Sequence, residues 1–150
     1  METTNCFKIC RRGPDGKFTS FNSPSVLTKT YEIGEWTEAD IGGLFVFINL
    51  YDALKPFITN WFSRDRVNIS LEKYTIFVAK AEIPIGLPKT YLGGRQLSDY
   101  EKYWAGPSHT PGTGVYCWPI GTSVFKRVKL IRELTKEELL KDRKSTLCLP

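Results

Sequence analysis

Gly43-Leu44-Phe45-Val46-Phe47-Ile48 runs directly into Asn49-Leu50-Tyr51-Asp52-Ala53-Leu54-Lys55-Pro56-Phe57-Ile58, and the fold turns on how that junction is read. From Leu44 to Ile48 no position is polar, so a strand there has to be covered on both faces. Past the junction Leu50, Ala53, Leu54, Phe57, Ile58, Trp61 and Phe62 recur at helical spacing. Asn49 stands where it can cap that helix, with Asp52 at the third position. The junction therefore predicts a buried central strand, Leu44 to Ile48, and an amphipathic helix, Leu50 to Phe62, lying on the sheet. Pro56 removes one backbone bond and crowds the preceding turn, so the helix is expected to kink.

Working outward toward residue 1, Cys6 to Arg12 and Lys17 to Phe21 are β-rich segments joined by Gly13-Pro14-Asp15-Gly16. Pro fixes φ and Gly accepts positive φ in such a turn, which predicts a β-hairpin. Leu27 to Ile33 alternates Lys29, Tyr31 and Ile33 against Thr28, Thr30 and Glu32, a strand with one wet face that stops at Gly34. In the other direction a strand spans Lys73 to Ile83 and Pro84 is expected to end it. Residues 84 to 114 then hold six glycines and four prolines, a loop that its aromatics Tyr91, Tyr100, Tyr103 and Trp104 mark as packed.

Val115 to Trp118 and Ser123 to Leu134 read as strands, the latter with Val128 and Leu130 on one face and Arg127 and Lys129 on the other. Thr135-Lys136-Glu137-Glu138 is a capping box that opens a short C-terminal helix. The expected architecture is a single α+β domain over residues 1–150. It consists of a mostly antiparallel sheet, one kinked helix packed on it, a long Gly/Pro-rich loop over 84–114 and a short C-terminal helix.

Composition narrows the class. The chain has 150 residues, 41% hydrophobic and 25% charged, with 21 Lys+Arg against 16 Asp+Glu for a net charge of +5. These values exclude disorder, collagen and a disulfide mini-protein. No run nears the roughly 18 apolar residues of a spanning helix, so no membrane partner is expected. Met1 to Cys10 mixes Glu2, Asn5 and Lys8 among apolar residues and lacks a signal-peptide core, which predicts an intracellular protein. Cys6, Cys10, Cys117 and Cys148 include no C-x-x-C pair, and His109 is the sole histidine, so no metal is expected. On one strand Cys6 and Cys10 would stand about 13 Å apart, beyond disulfide reach. All four thiols are read as reduced.

No catalytic residue can be assigned. His109 has no recognisable Ser, Cys or carboxylate partner, and neither G-x-G-x-x-G nor G-x-x-x-x-G-K-[ST] occurs, so no cofactor is expected. Glu72, Glu82, Asp99 and Glu101 read as solvated charge. One enzymatic alternative is a distant likeness to ADP-ribosyltransferases of the Arg-Ser-Glu type. It would use Arg11 or Arg12 on the first strand, Thr19-Ser20 on the second and Glu82 near a later strand end, without that family's paired glutamates.

Binding is the preferred reading, and two surfaces compete for it. Tyr91, Arg95, Tyr103, Trp104 and Trp118, in and around the long loop, are residue types that protein interfaces favour. They predict assembly, with a second copy of the chain or with another protein. Lys126 to Lys144 carries eight Lys+Arg against four Asp+Glu, so the segment holds +4 of the total +5. Within it Arg127, Lys129 and Arg132 are candidates for non-specific nucleic-acid contact. Cations on an exposed strand equally serve to keep an edge from pairing. Assembly ranks first and nucleic-acid binding second.

Four blocks carry a resemblance. They are Phe7-Lys8-Ile9-Cys10-Arg11-Arg12 with its hairpin, Tyr31-Glu32-Ile33-Gly34-Glu35-Trp36-Thr37, Gly43-Leu44-Phe45-Val46-Phe47 running into Asp52-Ala53, and Val128-Lys129-Leu130-Ile131-Arg132-Glu133-Leu134. Together they resemble small accessory proteins of phages and of large DNA viruses of the marseillevirus kind. The resemblance implies a viral accessory protein, intracellular in the host cytoplasm or nucleus or carried in the virion, so that the assembly partner is itself or another viral or host protein. With no catalytic residue assigned, the expected role is non-enzymatic binding. It implies no catalytic residues.

Overall fold

The computed structural model describes residues 2–20, 28–59, 73–86 and 121–139. Strand β1 (Thr4–Arg12) turns Cys6, Lys8 and Cys10 to one side and Phe7 and Ile9 to the other, and both sides are covered. It is followed by β2 (Phe18–Ser20), β3 (Thr30–Tyr31), β4 (Trp36–Glu38), β5 (Leu44–Phe47), α1 (Leu50–Thr59), β6 (Tyr74–Gly86) and β7 (Thr122–Glu133). Every pairing is antiparallel.

Four of these strands form a closed ring. β1 meets β5 at Phe7↔Phe47, and β5 runs along β7 from Leu44↔Phe125 to Phe47↔Thr122. β7 pairs with β6 along most of its length, and β6 returns to β1 from Tyr74↔Arg11 to Ala81↔Thr4. β2 and β3 extend the wall from the far half of β1, and β4 extends it from β7.

This mostly antiparallel β fold, a closed four-strand barrel with added strands, overturns the expected α+β sheet with a kinked helix packed on it. The reason lies in the two longest strands. The β6–β7 pair shifts register at Val78/Ala79 and again at Pro84/Gly86, and such irregularities increase local twist. A strongly twisted pair can coil until its outer neighbours meet. Cys6, Cys10, Ala79 and Ala81 are small enough to fit the narrow interior that results. The barrel thus buries its own inner face, and no helical layer is needed to cover it.

Pro84 does not end β6 as expected. It pairs with Phe125 at the second irregularity and the strand continues to Gly86. Ile83, beside it, takes a φ of 58°, a left-handed conformation rarely adopted by a β-branched residue.

Each of the two strands that meet β5 is forked along the edge opposite β6. On β1, Phe7 belongs to β5 while Cys10 to Arg12 belong to β2; on β7, Thr122 to Phe125 belong to β5 while Arg127 to Lys129 belong to β4. A lysine stands at each fork and bridges it. Lys8 Nζ donates to the Phe45 carbonyl at 2.6 Å, and Lys126 Nζ donates to the Ala39 carbonyl, just past β4, at 2.7 Å. Lys8 is thereby 95% buried, its ammonium also 5.4 Å from the Tyr31 ring.

Val46 and Phe47 are buried and Phe45 half-buried, on a strand with one core on each side. The inner core includes Cys6, Cys10, Tyr31, Val46, Phe77 and Leu130. The outer core is built from Ile9, Phe47, Ala53, Leu54, Ile76, Leu134 and Leu139. α1 is ten residues long and runs unbroken through Pro56; its side chains are described only to Leu54. Asn49 Oδ1 accepts the Asp52 amide at 3.0 Å, the N-cap foreseen. Thr135 and Glu138 close the capping box reciprocally at 3.0 and 3.1 Å, ahead of one helical turn over 136–139. Residues 87–120, which include most of the long loop and the Val115 to Trp118 segment, lie outside the described residues.

Candidate nucleic-acid interface

Val128 and Leu130 are fully buried in the inner core, so alternation along β7 turns Arg127 and Lys129 to the outer wall. β4 lies beside them in the register Trp36↔Lys129 and Glu38↔Arg127. This brings the half-buried Trp36 ring under two cations. The Arg127 guanidinium carbon is 4.8 Å from the ring centroid and the Lys129 ammonium 4.9 Å, both within cation–π range.

The two cations are held differently. Arg127 donates from Nη1 to Glu82 Oε2 at 3.0 Å, and Glu82 is itself largely buried, so the guanidinium is tethered. Lys129 has no acidic partner among the described residues. On the far side β6 sets Lys80 directly across from Lys129, and Lys80 is exposed. Like charges in a directly opposed cross-strand pair destabilise a sheet unless something neutralises them. The strip thus carries Arg127 and Lys129 over one indole and Lys80 one strand further along, across β7 from β4, with Glu82 and the exposed Glu38 as acidic groups.

Arg132, the third sequence candidate, is engaged elsewhere. Its guanidinium makes two bonds, 2.9 and 3.1 Å, to Glu138 and so fastens the end of β7 to the C-terminal turn. With Arg132 and Thr135 as donors, the Glu138 carboxyl is held down to about 2. The interface candidates Tyr91, Arg95, Tyr103, Trp104 and Trp118 lie outside the described residues, as does His109. Trp36 is the candidate-site residue that the sequence reading did not single out. Its indole gains its meaning from β7, which only the β4–β7 register reveals.

The Arg-Ser-Glu arrangement is not assembled. The first hairpin does place Arg11 across from Thr19 and Cys10 across from Ser20. Glu82, however, follows Ala81, which pairs with Thr4 at the opposite end of β1, roughly 26 Å from Arg12 at about 3.3 Å per residue. Arg12 instead pairs with Glu133, which also accepts from Thr75 Oγ1 at 2.8 Å. Burial pushes the Cys6 and Cys10 thiols up to about 12, Lys8 drawing both partly back, so neither is a thiolate nucleophile at neutral pH. No group of three or more His, Cys, Asp or Glu residues suited to a metal occurs among the described residues.

Fold and site together define a small closed β-barrel with a cationic, aromatic strip on its outer wall. No family model, curated protein or solved structure matches the chain.

Proposed function

We propose that the protein binds nucleic acid through the outer wall of β4, β7 and β6, without turning over a substrate. The observation that carries this reading is the opposed Lys80–Lys129 pair beside Trp36, flanked by Arg127. Two like charges without an acid between them are relieved by a phosphate, and an aromatic ring beside a phosphate site offers a base a surface to stack on. The net charge of +5 favours the same class of ligand over long range.

Fluorescence anisotropy with a labelled oligonucleotide over a salt series tests this. Affinity falls steeply as salt rises, and the double variant Arg127→Ala with Lys129→Ala lowers both the affinity and the steepness. Absence of binding at low salt, or binding indifferent to salt, refutes the reading.

Assembly through the 91–118 segment is the second reading. It is favoured by Ile83 and Ile85, exposed at 39% and 45% on the strand that leads toward that segment. Light scattering separates the two, since an aromatic and aliphatic contact gives a dimer that persists in high salt.

A further inference from the structure

Trp36, Arg127 and Lys129 form a small asymmetric device. Both cations lie over one indole, but Glu82 anchors Arg127 while Lys129 has no acidic anchor among the described residues. Lys129 also faces Lys80 across the strand pair, so repulsion already acts to move its ammonium. A ligand that arrives at this strip therefore meets one fixed cation and one displaceable one.

From this asymmetry we infer that the ligand is a single-stranded nucleic acid, one of whose bases takes the place of the Lys129 ammonium over the Trp36 ring. This rests on the nucleic-acid reading above and narrows it. The displaced Lys129 and the neighbouring Lys80 then take the phosphates that flank the stacked base. Arg127 stays where Glu82 holds it, at the ring. A duplex keeps its bases paired and stacked within itself and has no free face to offer, so it engages the lysines alone. The ring reads no base edge, so sequence preference is weak.

The experiment compares labelled oligo-dT and oligo-U with a DNA duplex of equal length, for wild type, Trp36→Leu, Trp36→Phe and Lys129→Gln. Thermal melting of each variant checks that the barrel is intact. Wild type is expected to favour both single strands over the duplex. Trp36→Leu loses about ten- to hundredfold for the single strands and little for the duplex, the range for removing one base–aromatic stack. Trp36→Phe, which keeps a π-face, recovers most of that loss and guards against a folding artefact. Lys129→Gln lowers the salt slope for both ligand types by about one phosphate contact.

Equal binding of single and double strands, with Trp36→Leu without effect on either, overturns the stacking inference and leaves the broader reading standing. Failure of wild type to bind any of the three overturns both. If oligo-dT and oligo-U differ more than about tenfold, the site reads the sugar or the methyl group, and the claim of a face-only site is wrong.

Discussion

β1 divides two cores of different character. Toward the outside, Ile9 joins Phe47, Ala53, Leu54, Ile76, Leu134 and Leu139 in a hydrophobic core. Toward the barrel axis, the same strand contributes two thiols and an ammonium, and the Tyr31 hydroxyl there is buried with no hydrogen-bond partner among the described residues. The outer core rests on transfer of apolar surface from water, so its energy follows volume. The inner core is enclosed by backbone pairing on every side of the ring. Closure adds to the apolar packing of Val46, Phe77, Val128 and Leu130 in keeping water out, and a lysine is tolerated because a carbonyl meets it.

The sharpest test of that contrast lies in the outer core. Phe47→Ala is expected to cost about 3 to 5 kcal/mol in urea unfolding, the range for emptying a buried phenylalanine site. A loss below about 1 kcal/mol would mean that the outer core contributes little and the contrast is false.

A smaller effect is expected inside. Lys8→Met keeps the side-chain volume and removes a buried charge, so the lost bond to Phe45 is offset by relief of desolvation. Stability should stay within about 1.5 kcal/mol of wild type. A cost comparable to that of Phe47→Ala would show that the ammonium bridge, and not the ring of strands, holds the first fork together.

The thiols sharpen the comparison through pH. Raised from 9.0 to about 12 by burial, Cys6 and Cys10 hold their protons more tightly folded than unfolded. Their contribution to stability is complete below about 9 and is lost as pH climbs toward 12. At pH 8, iodoacetamide should leave both unlabelled in the native protein and label both in urea, as read by peptide mass spectrometry. Rapid native labelling of either would show the barrel interior to be open.

The smallest effect belongs to Glu138, at the rim of the outer core. Its carboxyl is lowered from 4.5 to about 2, so its contribution is present above about 4.5 and is lost as pH falls toward 2. Being at the surface, it is weakened by salt. Glu138→Gln should flatten that acid limb only, which a stability–pH profile at low ionic strength resolves.

What the sequence disclosed is what neighbouring residues decide. The Gly13 to Gly16 turn, the Asn49 cap and the Thr135–Glu138 box are local patterns, each visible in a short window. The run expected to be covered from Leu44 to Ile48 holds only to Phe47, with Phe45 half-buried and Ile48 exposed past the strand end. Closure is of another kind, since it depends on the registers of β6 with β7 and of β1 with both β5 and β6. An irregular register lets Pro84 sit within a strand, where sequence rules make it a terminator. The site followed the same division. Arg127 and Lys129 were legible from their alternation, whereas Trp36 joined them only through pairing between segments far apart in the chain.

The ring also dictates an order of events during synthesis. β1 leaves the ribosome before any of its partners, and the last wall segment, residues 122–133, follows more than a hundred residues later. β1 itself pairs with β2, β5 and β6, and β6 ends at Gly86, so at translation rates of about 5 to 20 residues per second the β6 edge of β1 waits roughly 4 to 15 seconds for its partner. Cys6, Ile9 and Cys10 are accessible to solvent and to other nascent chains throughout that interval. A strand kept waiting in this way presents edges and apolar side chains that other chains can pair with before the barrel closes.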